Sequence, residues 1–180
     1  PDFMNKTWQL HLDAQPSIDG RRAQADLEDQ RVNVDILYPQ STTLAWQAPE
    51  GQRGQYADPP YTHRLLANPN VSRDLRMLTV VQASDADATT VQADLIDSEA
   101  WMGVQLQDRI VLFPKQGYSE PLSTVQFAVQ AAATTRISIT GLPASRSFSI
   151  TEQNQNGTRR IDVVPGSGFN TDHAGVLHFT

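Results

Sequence analysis

Apolar and polar residues alternate along most of this chain with a period of two. Trp8, Leu10 and Leu12 alternate with Gln9, His11 and Asp13, the pattern of a half-buried strand. Pro16 and the Asp19-Gly20 pair then end the extended run. The same pattern recurs in short segments punctuated by Pro, Gly, Asn and Asp. It predicts strands over 7–13, 22–28, 31–38, 42–47, 63–67, 73–83, 90–97, 101–107, 109–114, 123–131, 135–140, 147–153, 159–164 and 176–180. No stretch carries a convincing helical stripe. Ala131–Ala133 is the best alternative for a helical turn, but Thr134 and Thr135 favour extension. The expectation is an all-β chain: an antiparallel β-sandwich of two packed sheets with about a dozen short strands and no substantial helix.

Two segments predict more. Asp74–Ala83 is apolar on both faces, with Leu75, Met77 and Val81 on one and Leu78 and Val80 on the other. That predicts a central strand covered on both sides. Asn156-Gly157 separates two alternating runs, and this pair is preferred in type I′ turns because both central residues need positive φ. A two-residue loop there sets Ile150 opposite Val163 and Glu152 opposite Ile161. Residues 1–180 read as a single sandwich region, with an internal boundary placed, if anywhere, at 116–121. The first strand starts almost at residue 1, with neither a leader peptide nor an initiating methionine before it, so the chain reads as a piece of a larger protein.

Composition narrows the function classes. The chain is 39% hydrophobic and 19% charged, with a net charge of −6. Nucleic acid is not an expected partner, because phosphate binding needs a basic face. No apolar run approaches the ~20 residues of a membrane-spanning helix, so no membrane partner is expected. There is no cysteine, which removes disulfides, zinc–thiolate sites and cysteine nucleophiles.

Three stretches together resemble the C-terminal β-sheet region of heparinase II/III-like polysaccharide lyases. The first is Lys6–His11 leading to Pro16 and Gly20, similar to a "Trp-x-Leu-His … Pro-x-x-x-Gly" strand and turn. The second is the hydrophobic run Arg73–Val81. The third runs from Ile137–Pro143 through Phe148–Ile150 to Ala174–Leu177, similar to a final "Gly-Leu-Pro … strand … Gly-x-Leu" pattern. None of these is a catalytic motif. The resemblance implies a parent with an N-terminal α/α toroid and a C-terminal antiparallel sandwich, which cleaves acidic, uronate-containing polysaccharides by β-elimination. It implies a bacterial, periplasmic or extracellular setting. The family's catalytic tyrosine, Asn and His residues match no position here. The chain alone is therefore expected to be inactive, with a structural, cleft-lining role. The alternatives are a free-standing carbohydrate-binding module and an Ig-like structural domain.

β-Elimination needs a neutralised carboxylate, a base and an acid. His11 reads as a structural or surface residue. His63 follows the long loop 50–62 and, with Arg64, Arg53, Tyr56, Tyr61 and Trp46, forms the candidate substrate-binding set. The arginines suit a uronate carboxylate, and the rings suit a pyranose face. Trp46 and Trp101 fit either core or rim, whereas Trp8 fits the core. Asp172, His173 and His178 are metal-ligand types, but their spacing fixes no common face and no third ligand is evident, so no metal is expected. Asp85 and Asp87 read as a solvated turn. Ser41–Thr43 and Ser145–Ser147 read as turns without a base. No glycine-rich loop opens a helix, and no cofactor is expected. Far-UV circular dichroism should show a β spectrum, with helix in fewer than about a sixth of the residues, well below the ~30–35% of ordinary soluble domains.

Overall fold

A computed structural model describes residues 6–48, 63–69, 75–116, 124–130 and 135–180. Among these the chain is all-β, with sixteen strands and no helix. It divides into two compact units, Pro1–Thr90 and Val91–Thr180. The stretch 116–121 falls inside the second unit, and 117–123 lie outside the described residues, as do 131–134, where a helical turn was the alternative.

The first unit contains β1 (Trp8–Leu12), β2 (Ser17–Asp19), β3 (Arg22–Leu27), β4 (Gln30–Tyr38), β5 (Thr43–Gln47), β6 (His63–Asn68) and β7 (Leu78–Asp85). They form two antiparallel sheets, β1-β6-β5 and β2-β3-β4-β7. Each sheet turns its apolar alternates to a shared core. Leu12, Leu65 and Ala67 come from one sheet and Ala23, Ala25, Val34 and Ile36 from the other. Trp8, Leu10, Leu44 and Met77 pack at its margin. Each fully buried Val, Leu or Ile contributes roughly 1.5–3 kcal/mol through burial.

The register of β4 against β7 shifts between Ile36 and Tyr38. Such an irregularity frees carbonyls from the ladder. Arg21 supplies the missing donors: its Nη1 reaches the carbonyls of Ile36 and Leu37, each at 2.9 Å.

The run over 73–83 differs from its expectation. Residues 73 and 74 lie outside the described residues. The strand begins at Leu78, lies last in its sheet's order, and leaves Val81 51% exposed. The two-sided apolar character came from counting Leu75 and Met77, which precede the strand. Among the described residues this is an edge strand rather than a central one.

The second unit contains β8 (Ala93–Asp97), β9 (Trp101–Leu106), β10 (Arg109–Pro114), β11 (Val125–Gln130), β12 (Arg136–Ile139), β13 (Ser147–Gln155), β14 (Thr158–Pro165), β15 (Phe169–Asn170) and β16 (Leu177–Phe179). A five-stranded sheet, β16-β12-β10-β9-β8, faces a four-stranded sheet, β11-β14-β13-β15, across a common core. Trp101, Ile110, Leu112, Ile137, Ile139 and Leu177 meet Val125, Phe127, Phe148, Ile161 and Val163 there. Trp101 is 1% exposed and its ring N–H donates to the Thr124 carbonyl at 3.2 Å, so this tryptophan belongs to the core. One pairing is parallel, β10 with β12. The chain leaves the five-stranded sheet after β10, contributes β11 to the other sheet, and returns as β12. Because β11 carries the chain back to the end where β10 began, β12 re-enters there and runs parallel to β10.

The β13–β14 hairpin has the predicted register, with Ile150 opposite Val163 and Glu152 opposite Ile161. Asn156 and Gly157 have φ of 51° and 79°, as a type I′ turn requires. A Cβ built on Gly157 would meet nothing within 4 Å, so any penalty there is one of backbone conformation. Gly157→Val should lower stability by roughly 1–3 kcal/mol, read as a reduced urea midpoint, while Gly157→Asn should lose much less.

Candidate functional site

Three of the six candidate substrate-binding residues are described: Trp46, His63 and Arg64. Arg53, Tyr56 and Tyr61 lie outside the described residues. Trp46 pairs across the sheet with Leu65, and His63 precedes Leu65 by two residues. Trp46 and His63 therefore leave the sheet on the core-facing side. Their rings meet edge to face, with centroids 5.3 Å apart and planes inclined by 62°, a favourable aromatic geometry. Because β5 is last in its sheet's order, Trp46 remains 38% exposed. It is a rim residue.

Arg64 lies on the opposite face. It is flanked by His11 on β1 and Gln47 on β5. Its Nη2 donates to Gln47 Oε1 at 3.3 Å. Among the described residues its buried Nε has no hydrogen-bond partner. The sheet thus separates the two neighbours His63 and Arg64. The first belongs with an indole at the sheet rim and the second with polar side chains on the outer surface.

The second unit has a cleft of about 520 Å³ that the sequence did not single out. One wall is the turn that includes Pro143, Ser145 and Arg146, and the other is Pro165-Gly166 at the end of β14. Residues twenty positions apart come together here because β13 and β14 form a hairpin whose base brings Phe148 opposite Pro165. Both walls are held by hydroxyl groups. Thr171, 5% exposed, donates its one hydroxyl proton to the Pro143 carbonyl at 2.7 Å, with the Arg146 carbonyl 3.2 Å away, and accepts the Arg146 N–H at 3.0 Å. Ser149 Oγ donates to the Ser167 carbonyl and accepts the Ser167 N–H, both at 3.0 Å. A Cβ on Gly166 would fall 2.1 Å from that Oγ, so only glycine fits. Ser145 has φ of 53°, a left-handed conformation that costs a non-glycine residue roughly 1–2 kcal/mol.

The adjoining turn is closed by Asp172. Its Oδ1 accepts the N–H groups of Ala174 at 2.8 Å and Val176 at 2.9 Å. The Val176 hydrogen bond foremost, then that of Ala174, holds the carboxyl below its ordinary range against the opposing effect of burial. His178 is instead engaged with Ser138, its Nδ1 lying 2.9 Å from the hydroxyl. Asp172 and the histidines thus serve a turn and a sheet surface. Among the described residues no group of three or more His, Cys, Asp or Glu side chains could hold a metal ion.

Compared with known proteins, the chain matches no family model, and no curated protein is significantly similar to it.

The lowered Asp172 carboxyl makes a pH prediction. A carboxyl depressed on folding stabilises the fold above its unfolded value, roughly pH 4. That contribution disappears as pH falls through the lower folded value. Asp172→Ala should be less stable than wild type at neutral pH, and the difference should shrink progressively below about pH 4. Urea midpoints measured from acid to neutral pH check this.

Proposed function

We propose that this chain is the C-terminal β-sandwich portion of a heparinase II/III-like polysaccharide lyase, structural and cleft-lining rather than catalytic alone. Its partners are an N-terminal helical toroid and, through the parent enzyme, an acidic polysaccharide in the bacterial periplasm or outside the cell. One structural observation carries the reading. One half of the five-stranded sheet, β8 to β10, carries apolar residues on both faces, whereas β12 and β16 turn Arg136, Ser138 and His178 outward. Opposite its core side, Leu95, Val104 and Val111 form a cross-strand ladder, continued by Met102 and Phe113. Met102 is 5% exposed and the others are half-buried. Strands with two apolar faces are suited to being covered on both sides. That suits a wall-forming part of a larger enzyme better than a solvated ligand platform.

Two further points support the reading. Among the described residues, the segments that carry the resemblance fall on β1, β2, β7, β12, β13 and β16 and the stretches beside them. Gly20, the last residue of the first motif, has φ of 58° in the turn between β2 and β3. The rim position of Trp46 favours a second reading, a carbohydrate-binding module, since an exposed indole is the group on which a sugar ring stacks.

The decisive observation is the coding sequence preceding Pro1. The lyase reading requires several hundred helical residues with Asn, His and Tyr. The whole product should form unsaturated uronate from heparin, heparan sulfate, hyaluronan or alginate, whereas this chain alone should form none. Turnover by this chain that survives repurification and is lost in His63→Ala, or the absence of a helical region upstream, overturns the reading.

A further inference from the structure

The second unit carries a cleft that nothing in the elimination chemistry uses. Its volume of about 520 Å³ falls within the roughly 300–1,000 Å³ typical of small-ligand sites. Its walls are hydrogen-bonded in place. Thr171 fixes the turn at Pro143–Arg146 and Ser149 fixes the strand end at Gly166-Ser167. Ser145 is held in a strained backbone conformation at the rim, and strain of this kind collects where a binding surface must be shaped in advance.

The charges select the ligand. Arg159 is ion-paired with Glu152, and Arg160 lies 3.7 Å from Asp162. Arg146 lines the cleft, is exposed, and its guanidinium has no acid or hydrogen-bond partner among the described residues. In a chain of net charge −6, an uncompensated guanidinium at a cavity wall matches a carboxylate, which it can bind by two parallel hydrogen bonds. Ser145 places a hydroxyl beside it. Pro143 and Pro165 offer flat, rigid apolar surfaces to a ring.

We infer that this cleft binds a ring-borne carboxylate: the carboxylate pairs with Arg146, and the ring lies between Pro143 and Pro165. A uronate unit is the source supplied by the lyase reading, and that part of the inference rests on it. The carboxylate site itself rests on the cleft and Arg146. It would be an anchoring position for polysaccharide away from the bond being cleaved.

The test is NMR titration of this chain with a glucuronate-containing disaccharide, its neutral glucose counterpart, and benzoate. Affinity in so open a groove should be on the order of millimolar. The acidic disaccharide should shift the amides of Ser145, Arg146, Ser147 and Gly166, and the neutral one should bind at least about tenfold more weakly. Arg146→Gln should lose at least about tenfold in affinity, and Arg146→Lys should retain part of it. Arg146 is exposed, so neither variant should alter the amide spectrum beyond the cleft. If benzoate binds through Arg146 and the acidic disaccharide does not, the carboxylate site stands and its assignment to uronate falls. Equal binding of neutral and acidic probes, equal binding by Arg146→Gln, or no shifts at the cleft overturns the site.

Discussion

Neighbouring side chains on a strand leave it on opposite sides, and nearly everything in this protein follows from that constraint. It sends Leu65 and Ala67 into the first core and Arg64 to the outer face. It gives the second unit a core of large apolar residues from both sheets. Where the outward alternates are also apolar, as on β9 and β10, it makes a layer with two faces to cover. Polar groups can then cooperate only when they share a face or reach around an edge. Trp46 and His63 satisfy that rule at a sheet rim, whereas His63 and Arg64, though adjacent in sequence, do not.

Between the strands, the backbone is held by side-chain oxygens. Thr42, 4% exposed, donates to the Pro39 carbonyl at 2.8 Å. Ser98 closes the turn into β9 by pairing with both the N–H and the carbonyl of Trp101. Thr171, Ser149 and Asp172 do the same around the cleft. Each such bond adds only about 1 kcal/mol net, but leaving a buried backbone group without a partner costs more. These hydroxyls are therefore distributed where the sheet ladder stops. Their effect is to make the turns of the second unit shaped surfaces.

The strands were legible because period-two alternation and turn residues both mark them. Each predicted strand has a counterpart, and the hairpin register was readable because Asn156-Gly157 permits so few geometries. Ser17–Asp19 and Phe169–Asn170 escaped, being too short for any alternation to show. Edge position escaped too, since the apolar pattern of β7 records burial on average and not the number of neighbours. The Trp46–His63 contact could have been anticipated from their shared face once β5 and β6 were paired. The cleft could not. Arg146 and Gly166 are brought together only by the hairpin, and the side chains that shape the walls, Thr171 and Ser149, look like ordinary hydroxyl residues in the sequence.

The parallel pairing of β10 with β12 has a mechanical meaning. Between them the chain crosses to the opposite sheet, contributes β11, and crosses back. The two layers of the second unit are stitched together covalently through strands that are themselves hydrogen-bonded on both sides of the stitch. The side chains of each layer also form the core against which the other packs, with Ile110, Leu112 and Ile139 from one meeting Phe127, Phe148 and Ile161 from the other. Separating the layers would expose that whole core at once, so the two layers of this unit should open together.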